Sequence, residues 1–292
     1  MDKAIKKPVL ASLLASPIGH SLSPVIHNTA FAELNINGQY TLVDTGSDSL
    51  ESCFAELRQS TLLGCNLSMP NKQLAIPLVD DLSDTAKVVG AINTVIVNDG
   101  KLFGDNTDGR GFVKGLEVND IVFQDKTVLI LGAGGAALSI IYELAKQGVS
   151  QLVVLKRQND TFDQTVAKME QLSTLTNCPI TVIAFSDELQ AIIESADIIV
   201  NCTNVGMAEL EDETPLDPRF KLSSHSVVVD IIYVPKQTEL LKWAEEQGCR
   251  TLNGLDMLIY QASEAFKLWT AKDMPITPVK EAVKNRLENN DK

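Results

Sequence analysis

TVLILGAGGAALSIIYELAKQGVSQLVVLKR, Thr127 to Arg157, is the stretch from which the fold is read. Thr127 to Leu131 is a continuous apolar strand that runs straight into Gly132-Ala133-Gly134-Gly135-Ala136-Ala137. A helical pattern follows and stops at the C-cap candidate Gly148, and the next strand opens at Gln151. Strand, glycine turn, helix and strand within about 30 residues form the unit that binds dinucleotides. Its glycines let backbone N–H groups approach a pyrophosphate, and the helix N-terminus stabilises the phosphate charge. Gly132, Ala133, Gly134, Gly135 and Ala136 are therefore the candidate cofactor turn; the competing reading is a tight turn that binds nothing. An acidic residue that would hold an unphosphorylated ribose hydroxyl is expected about 20 residues after the turn. Lys156 and Arg157 stand there instead. Two cations favour NADP, while Asn159 and Asp160 beside them keep NAD open.

Buried strands at Ile198 to Val200 and Val227 to Ile232 extend the same sheet, and a helix from Thr238 to Gln247 follows. The segment from Glu209 to Asp217, rich in acids and carrying Pro215, reads as the most mobile loop. Gly254 to Thr270 is a long amphipathic helix with Leu255, Leu258, Ile259, Ala262, Phe266 and Trp269 on one side, and is expected to return to the first domain. Before the glycine turn, short apolar runs alternate with helical stretches. Strands at Val9 to Leu14, Tyr40 to Val43 and Leu62 to Leu67 alternate with helices at Pro24 to Leu34, Ser49 to Leu57 and Pro70 to Leu78. That order, βαβαβα, implies a parallel sheet. Ala91 to Val97 and Lys101 to Phe103 flank Asn98-Asp99-Gly100, a hairpin signal, so one antiparallel ribbon joins that sheet.

At 292 residues the chain has room for about two domains, each with its own core. Hydrophobic residues at 45% and charged residues at 22% are globular values, which excludes disordered and fibrous classes. Twenty-five Lys plus Arg against 38 Asp plus Glu leave a net charge of −13, a field that repels nucleic acid and anionic membrane surfaces. Five scattered cysteines, odd in number and without CxxC spacing, argue against a disulfide framework or a metal site and fit a cytoplasmic protein. The run from Val9 to Ala15 is at the minimum for a signal-peptide core and reads instead as a first buried strand. No segment approaches the roughly 20 apolar residues of a membrane span.

Polar residues gather where the first domain's turns should lie, at the carboxyl ends of strands where open sheets bind ligands. They are Ser21 and Ser23 after the first strand, Ser68 and Lys72 after the third, and Asn93 and Asp108 around the hairpin. Each has an ordinary structural reading. A serine before Pro24 caps a helix, a lysine is solvated, and Asp108 caps the helix beginning near Gly109. Their joint placement on one rim beside a nucleotide domain points to a substrate site. Of the three histidines, His20 adjoins the serine turn, His27 reads as a packing or capping residue in its helix, and His225 reads as surface. Lysine is therefore a candidate for proton transfer, and His20 stays one beside it.

At these residues the chain resembles the shikimate dehydrogenase family. SPIGHSLSP (Ser16 to Pro24), NLSMPNK (Asn66 to Lys72), GAINT (Gly90 to Thr94), DNTDG (Asp105 to Gly109), GAGGA, NCTNVGM (Asn201 to Met207) and GLDMLIYQ (Gly254 to Gln261) occur in the family's order over nearly the whole chain. The resemblance implies reversible reduction of 3-dehydroshikimate to shikimate by NADPH, on the route to chorismate and the aromatic amino acids. It also implies a two-domain α/β fold. A mixed, mostly parallel substrate-binding sheet would come from residues 1–111 plus 254–292, and a Rossmann-type NAD(P)-binding domain from 112–253.

By position, the resemblance makes Ser21 and Ser23 the ligands of the substrate carboxylate. Ser68, Asn93, Asp108 and Gln261 would hold its hydroxyls, and Tyr40 and Tyr233 would line the pocket. Lys72 would be the catalytic acid/base, paired with Asp108. Asn204, Ile231 and Gly254 match positions near the nicotinamide. An ammonium readily serves as acid in carbonyl reduction, and a facing carboxylate is expected to share the proton with it as a coupled unit. Three departures stand out. Ser68 replaces the threonine of many biosynthetic members, and SMPNKQ is closer to the quinate/shikimate branch, whose members also oxidise quinate and accept NAD. KRQND, Lys156 to Asp160, matches neither the NADP-specific pattern nor that branch, and Asp256 occupies a usual glycine position. The expected ligands are NADP or NAD, shikimate, 3-dehydroshikimate and quinate, with no metal. A homodimer is compatible with the sequence. A catalytically silent NAD(P)-binding regulator on the same fold is the alternative from another class.

Overall fold

The computed structural model describes residues 7–19, 21–186 and 189–290. Two compact units divide the chain: Met1–Thr107 with Ile259–Lys292, and Asp108–Leu258. The first unit begins with β1 (Val9–Ala15), α1 (Ser23–Glu33), β2 (Gln39–Asp44), α2 (Ser47–Gln59), β3 (Gly64–Leu67) and α3 (Asn71–Leu74). It continues with β4 (Asp81–Leu82), α4 (Asp84–Val89), β5 (Thr94–Asn98) and β6 (Lys101–Asp105). Its sheet has the order β2-β1-β3-β5-β6-β4. β1 runs parallel to β2 and β3, whereas β5 is antiparallel to both β3 and β6. The hairpin signal is realised: Asp99 and Gly100 take φ of 49° and 74°, the left-handed pair that a tight hairpin turn demands.

One expectation is corrected. The helix read from Pro70 to Leu78 is two pieces, α3 and a 3₁₀ turn at Ile76–Leu78. Pro77 inside the run has no N–H to continue an α-helical ladder, so the chain tightens and turns. α4 was not foreseen. Its Ser83 N-cap accepts a 3.0 Å hydrogen bond from the Ala86 N–H, and Gly90 closes it at φ 73°.

The second unit carries α5 (Asp108–Val118), β7 (Thr127–Leu131), α6 (Gly135–Lys146), β8 (Gln151–Lys156), α7 (Phe162–Thr176) and β9 (Ile180–Ala184). It continues through α8 (Gln190–Ser195), β10 (Ile198–Asn201), β11 (Val227–Asp230), α9 (Glu239–Glu246) and β12 (Arg250–Leu252). Its strands lie in the order β12-β11-β10-β7-β8-β9, all parallel. Strand order reverses between β7 and β10, the doubly wound arrangement whose ligand crevice lies at that switch point. Val128 to Leu131 and Ile198 to Val200 are at most 1% exposed, as expected of strands covered on both faces.

α10 (Leu255–Thr270) crosses the boundary at Ile259, so the rest of this helix belongs to the first unit together with α11 (Ile276–Asn290). There Phe266 is fully buried beside Phe31, and the Trp269 Nε1–H donates to the Val95 carbonyl at 3.0 Å. Among the described residues no helix is long and apolar enough to cross a membrane, and no three His, Cys, Asp or Glu side chains gather as metal ligands.

Candidate functional site

The first unit gathers Ser21, Ser23, Tyr40, Ser68, Lys72, Asn93 and Gln261 of the expected substrate residues, and the second holds Asp108 and Tyr233. Helix α1 starts at Ser23, and its N-cap residue Leu22 makes no side-chain cap. Neither serine therefore stands at the N-cap position of this helix. The Ser21 hydroxyl donates to Ser23 Oγ at 3.1 Å and accepts from the Ser23 N–H at 3.2 Å.

Lys72 sits in α3, a helix of four residues held from both sides. The Asn71 side chain before it is fully buried, and its Nδ2 donates to the Thr45 carbonyl at 2.8 Å and the Leu14 carbonyl at 3.2 Å. The Lys72 carbonyl itself accepts from the Ile92 N–H at 2.8 Å, and Ser68 is tied to β1 through its N–H to Leu14 O at 3.2 Å. The half-buried lysine side chain thus rises from a backbone fastened to β1, the β2–α2 turn and the β5 approach.

Asn93 is 2% exposed and lies in a polar network. Its Nδ2 donates to Thr107 Oγ1 at 2.9 Å and to Gln261 Oε1 at 3.3 Å. Its Oδ1 accepts from the Thr107 N–H at 2.9 Å and from the Thr94 hydroxyl at 3.0 Å. Asn66 extends the network, donating to Asn93 O and to Thr94 Oγ1, both at 3.1 Å. Tyr40 is 2% exposed and donates its hydroxyl to Asn66 Oδ1 at 2.8 Å, so it reaches the cluster by way of Asn66. Burial holds the Tyr40 phenol well above its ordinary pKa. Asn66, Asn71 and Thr107 are the supports that sequence reading missed; the one available signal was a polar side chain in the otherwise apolar strand GCNL. His20 lies outside the described residues.

In the second unit the turn after β7 has the shape a dinucleotide needs. Gly132 takes φ of 95°, and a Cβ there would stand 2.9 Å from Thr203 Cγ2. Gly134 and Gly135 open α6, no side chain caps that helix, and nothing lies within 4 Å of where their Cβ atoms would be. The free space lies at the helix N-terminus, where backbone N–H groups and the helix dipole favour a pyrophosphate. The residues present therefore fit the cofactor. Asn204 is exposed in the loop after β10, and Ile231 and half-buried Tyr233 follow β11. Burial raises the Tyr233 pKa. Gly254 packs so closely on the Ile231 carbonyl that a Cβ would meet its oxygen at 1.9 Å. Asp108 is the first residue of α5 and 5% exposed. The departure Asp256 accepts a 2.7 Å hydrogen bond from Asn119, joining the start of α10 to the end of α5.

The two cations after β8 have different surroundings. Lys156 Nζ is occupied by Asn159 Oδ1 at 3.1 Å and Thr161 Oγ1 at 2.8 Å, which folds the loop back on itself. Arg157 is exposed and, among the described residues, makes no hydrogen bond or ion pair. On the expectation that these cations favour NADP, Arg157 is the candidate reader of a 2′-phosphate. Arg157→Ala is expected to raise KM for NADP by about 10- to 150-fold, equivalent to the roughly 1.5 to 3 kcal/mol of a charge-assisted hydrogen bond, and to leave KM for NAD nearly unchanged. Steady-state kinetics with both cofactors checks this; equal losses would remove Arg157 from phosphate recognition.

Comparison with known proteins bears on the family of the chain. Residues 13–95 match the family model of the shikimate dehydrogenase substrate binding domain, 117–244 that of shikimate / quinate 5-dehydrogenase, and 254–284 that of the shikimate 5′-dehydrogenase C-terminal domain. The shikimate dehydrogenase (NADP(+)) of Alkaliphilus metalliredigens is 39% identical over 280 residues, 94% of this chain and 96% of that protein. The crystal structure of shikimate 5-dehydrogenase from Listeria monocytogenes, in complex with shikimate and NAD, superposes with a TM-score of 0.88 at 39% identity, covering 94% of this chain and 96% of that one. Quinate dehydrogenase from Corynebacterium glutamicum, in complex with NAD, superposes with a TM-score of 0.85 at 29% identity over 96% of this chain and all (100%) of that one.

Proposed function

Because the chain belongs to the shikimate dehydrogenase family, we propose that it catalyses the reversible NAD(P)-dependent reduction of 3-dehydroshikimate to shikimate, in the cytoplasm, on the route to chorismate and the aromatic amino acids. The first unit takes the substrate and the second takes the dinucleotide. The observation that carries this reading is the pairing, in one chain, of an uncapped helix N-terminus behind a positive-φ glycine turn with a firmly seated lysine among hydroxyls and amides at strand ends.

The bound dinucleotide supplies the hydride in one direction and receives it in the other. Ser21 and Ser23 donate their hydroxyls to the substrate carboxylate, while Ser68, Asn93 and Gln261 hold the ring hydroxyls and fix which carbon is presented. Lys72 Nζ gives a proton to the carbonyl oxygen as the ketone is reduced and takes it back as shikimate is oxidised. Asp108 is assigned as the carboxylate that shares this proton. A lysine fits that duty because its seat is fixed by Asn71 and Ile92 and does not depend on substrate.

A second reading, quinate oxidation with NAD, is favoured by one stretch of sequence, Ser68-Met69-Pro70-Asn71-Lys72, and by the likeness to the Corynebacterium quinate dehydrogenase. The absorbance of reduced nicotinamide, followed with shikimate or quinate and with NADP or NAD, tests both. Shikimate-dependent reduction of at least one cofactor is expected, and the kcat/KM ratio of the two acids separates the readings. Turnover no faster than a blank without protein, from a folded preparation, would falsify the activity and leave a silent NAD(P)-binding regulator.

A further inference from the structure

The ends of β10 and β11 are tied by a buried carboxylate that no described cation pairs with. Asp230 and Asn201 are neighbours in the sheet register, and both are fully buried. Asn201 Nδ2 lies 3.1 Å from each Asp230 oxygen and donates also to the Val205 carbonyl at 3.1 Å. Asn201 Oδ1 accepts from the Thr203 N–H at 2.9 Å and the Thr203 hydroxyl at 2.7 Å, and Thr203 Oγ1 accepts from the Val205 N–H at 3.1 Å. On the other side, Asp230 Oδ1 accepts from the Ile232 N–H at 3.0 Å and Oδ2 from the Thr238 hydroxyl at 2.8 Å. A single carboxylate therefore sets the loop that displays Asn204 and the turn that displays Ile231. Beside it, a small hollow is lined by Phe112, Val229, Ile231, Leu252, Gly254 and Met257, along with Asp230 itself.

We propose that Asp230 is a positioning residue for the nicotinamide half of the cofactor, holding the β10 and β11 loops as the two walls between which that ring is seated. This rests on the dinucleotide reading of the second unit. The sheet order separates the two halves of the ligand. The pyrophosphate turn follows β7, and the candidate phosphate reader Arg157 follows β8 on one side, whereas β10 and β11 lie on the other side of β7. Every partner of Asp230 named above belongs to the β10 and β11 side. A carboxylate accepting several donors also holds more firmly than a neutral group, since hydrogen bonds to an ion are roughly twice as strong.

The test compares a whole cofactor with its half. Kd is measured by calorimetry for wild type and Asp230→Asn with NADP and adenosine 2′,5′-bisphosphate, or with NAD and ADP if the wild type prefers NAD. Asp230→Asn is expected to weaken the whole dinucleotide by about tenfold or more, the worth of a lost charge-assisted bond, and to leave the half-ligand within about twofold. Equal losses for both ligands, the signature of a merely structural role, overturn the proposal, as does unchanged binding of the whole dinucleotide. If Asp230→Asn does not fold, Thr238→Val, which withdraws one donor from the same carboxylate, is judged by the same contrast with an expected loss of about threefold. A wild type that binds neither ligand overturns the dinucleotide reading and this proposal with it. A wild type that binds both, with a variant that does not discriminate, removes only the role of Asp230.

Discussion

Lys72→Ala is expected to cut kcat for shikimate oxidation by about 10² to 10⁴, the usual contribution of general acid–base catalysis, while KM for shikimate changes far less. The size follows from where the lysine sits. Its backbone is pinned by Asn71 to the Leu14 and Thr45 carbonyls and by its own carbonyl to the Ile92 N–H, so truncation removes Nζ without releasing the turn. If Lys72 only bound substrate, equally in ground and transition states, KM would rise with kcat intact. Lys72→Arg restores the charge but not the activity, because a guanidinium stays protonated at usable pH and cannot take the hydroxyl proton. Steady-state kinetics on the two variants separates these cases. A Lys72→Ala enzyme within about threefold of wild-type kcat sinks the assignment and passes the role to Asp108 or His20.

The parts of the fold that could be read were those in which local pattern and burial agree. β7 begins and ends where a continuous apolar run meets a glycine turn, and the β5–β6 hairpin announces itself through Asn98-Asp99-Gly100. α7 and α11 escaped because they bury little: Met169 and Leu172 in the former, Val279 and Val283 in the latter, too few to impose a helical period. β12 has three residues and begins at the exposed Arg250. Among candidate site residues, those at strand ends and in the glycine turn were legible as to which element they follow. Their supports were not, since such pairs join residues far apart in the chain. Asn71 reaches Leu14 across 57 positions and Tyr40 reaches Asn66 across 26, so no spacing rule could link them. His27 was half legible. Its place in a helix marked it as packing, but its aromatic surroundings come from β2 and α10.

That surrounding makes His27 the expected source of a steep acid lability in the first unit. The ring is fully buried, stacked on Tyr40 at 4.4 Å and 14°, with Trp269 at 5.3 Å and Phe266 at 6.3 Å, and among the described residues neither nitrogen has a hydrogen-bond partner. Burial pushes its pKa from 6.5 down to about 3, although the nearby Asn66 side chain favours the cation. The folded imidazole thus stays neutral at a pH where the unfolded one takes up a proton. Its contribution to stability is complete above the unfolded value of 6.5 and drains away as pH falls from there to about 3. Across that window the slope is about 1.4 kcal/mol per pH unit, summing to about 5 kcal/mol, comparable to the whole stability of a small domain. Urea unfolding followed by Trp269 fluorescence, in a Trp243→Phe background so that one indole reports, reads this directly. His27→Phe keeps the aromatic stack and removes the titration, so its stability should fall by about 2 kcal/mol less than that of the parent between about pH 6.5 and pH 4.5. Carboxylates such as Asp80, held below the ordinary range by the Leu102 N–H and Arg58, act equally in both proteins and cancel in the difference. Parallel pH profiles for parent and variant would show that the folded protein protonates His27 as readily as the unfolded chain does, and that the aromatic stack leaves its titration unchanged.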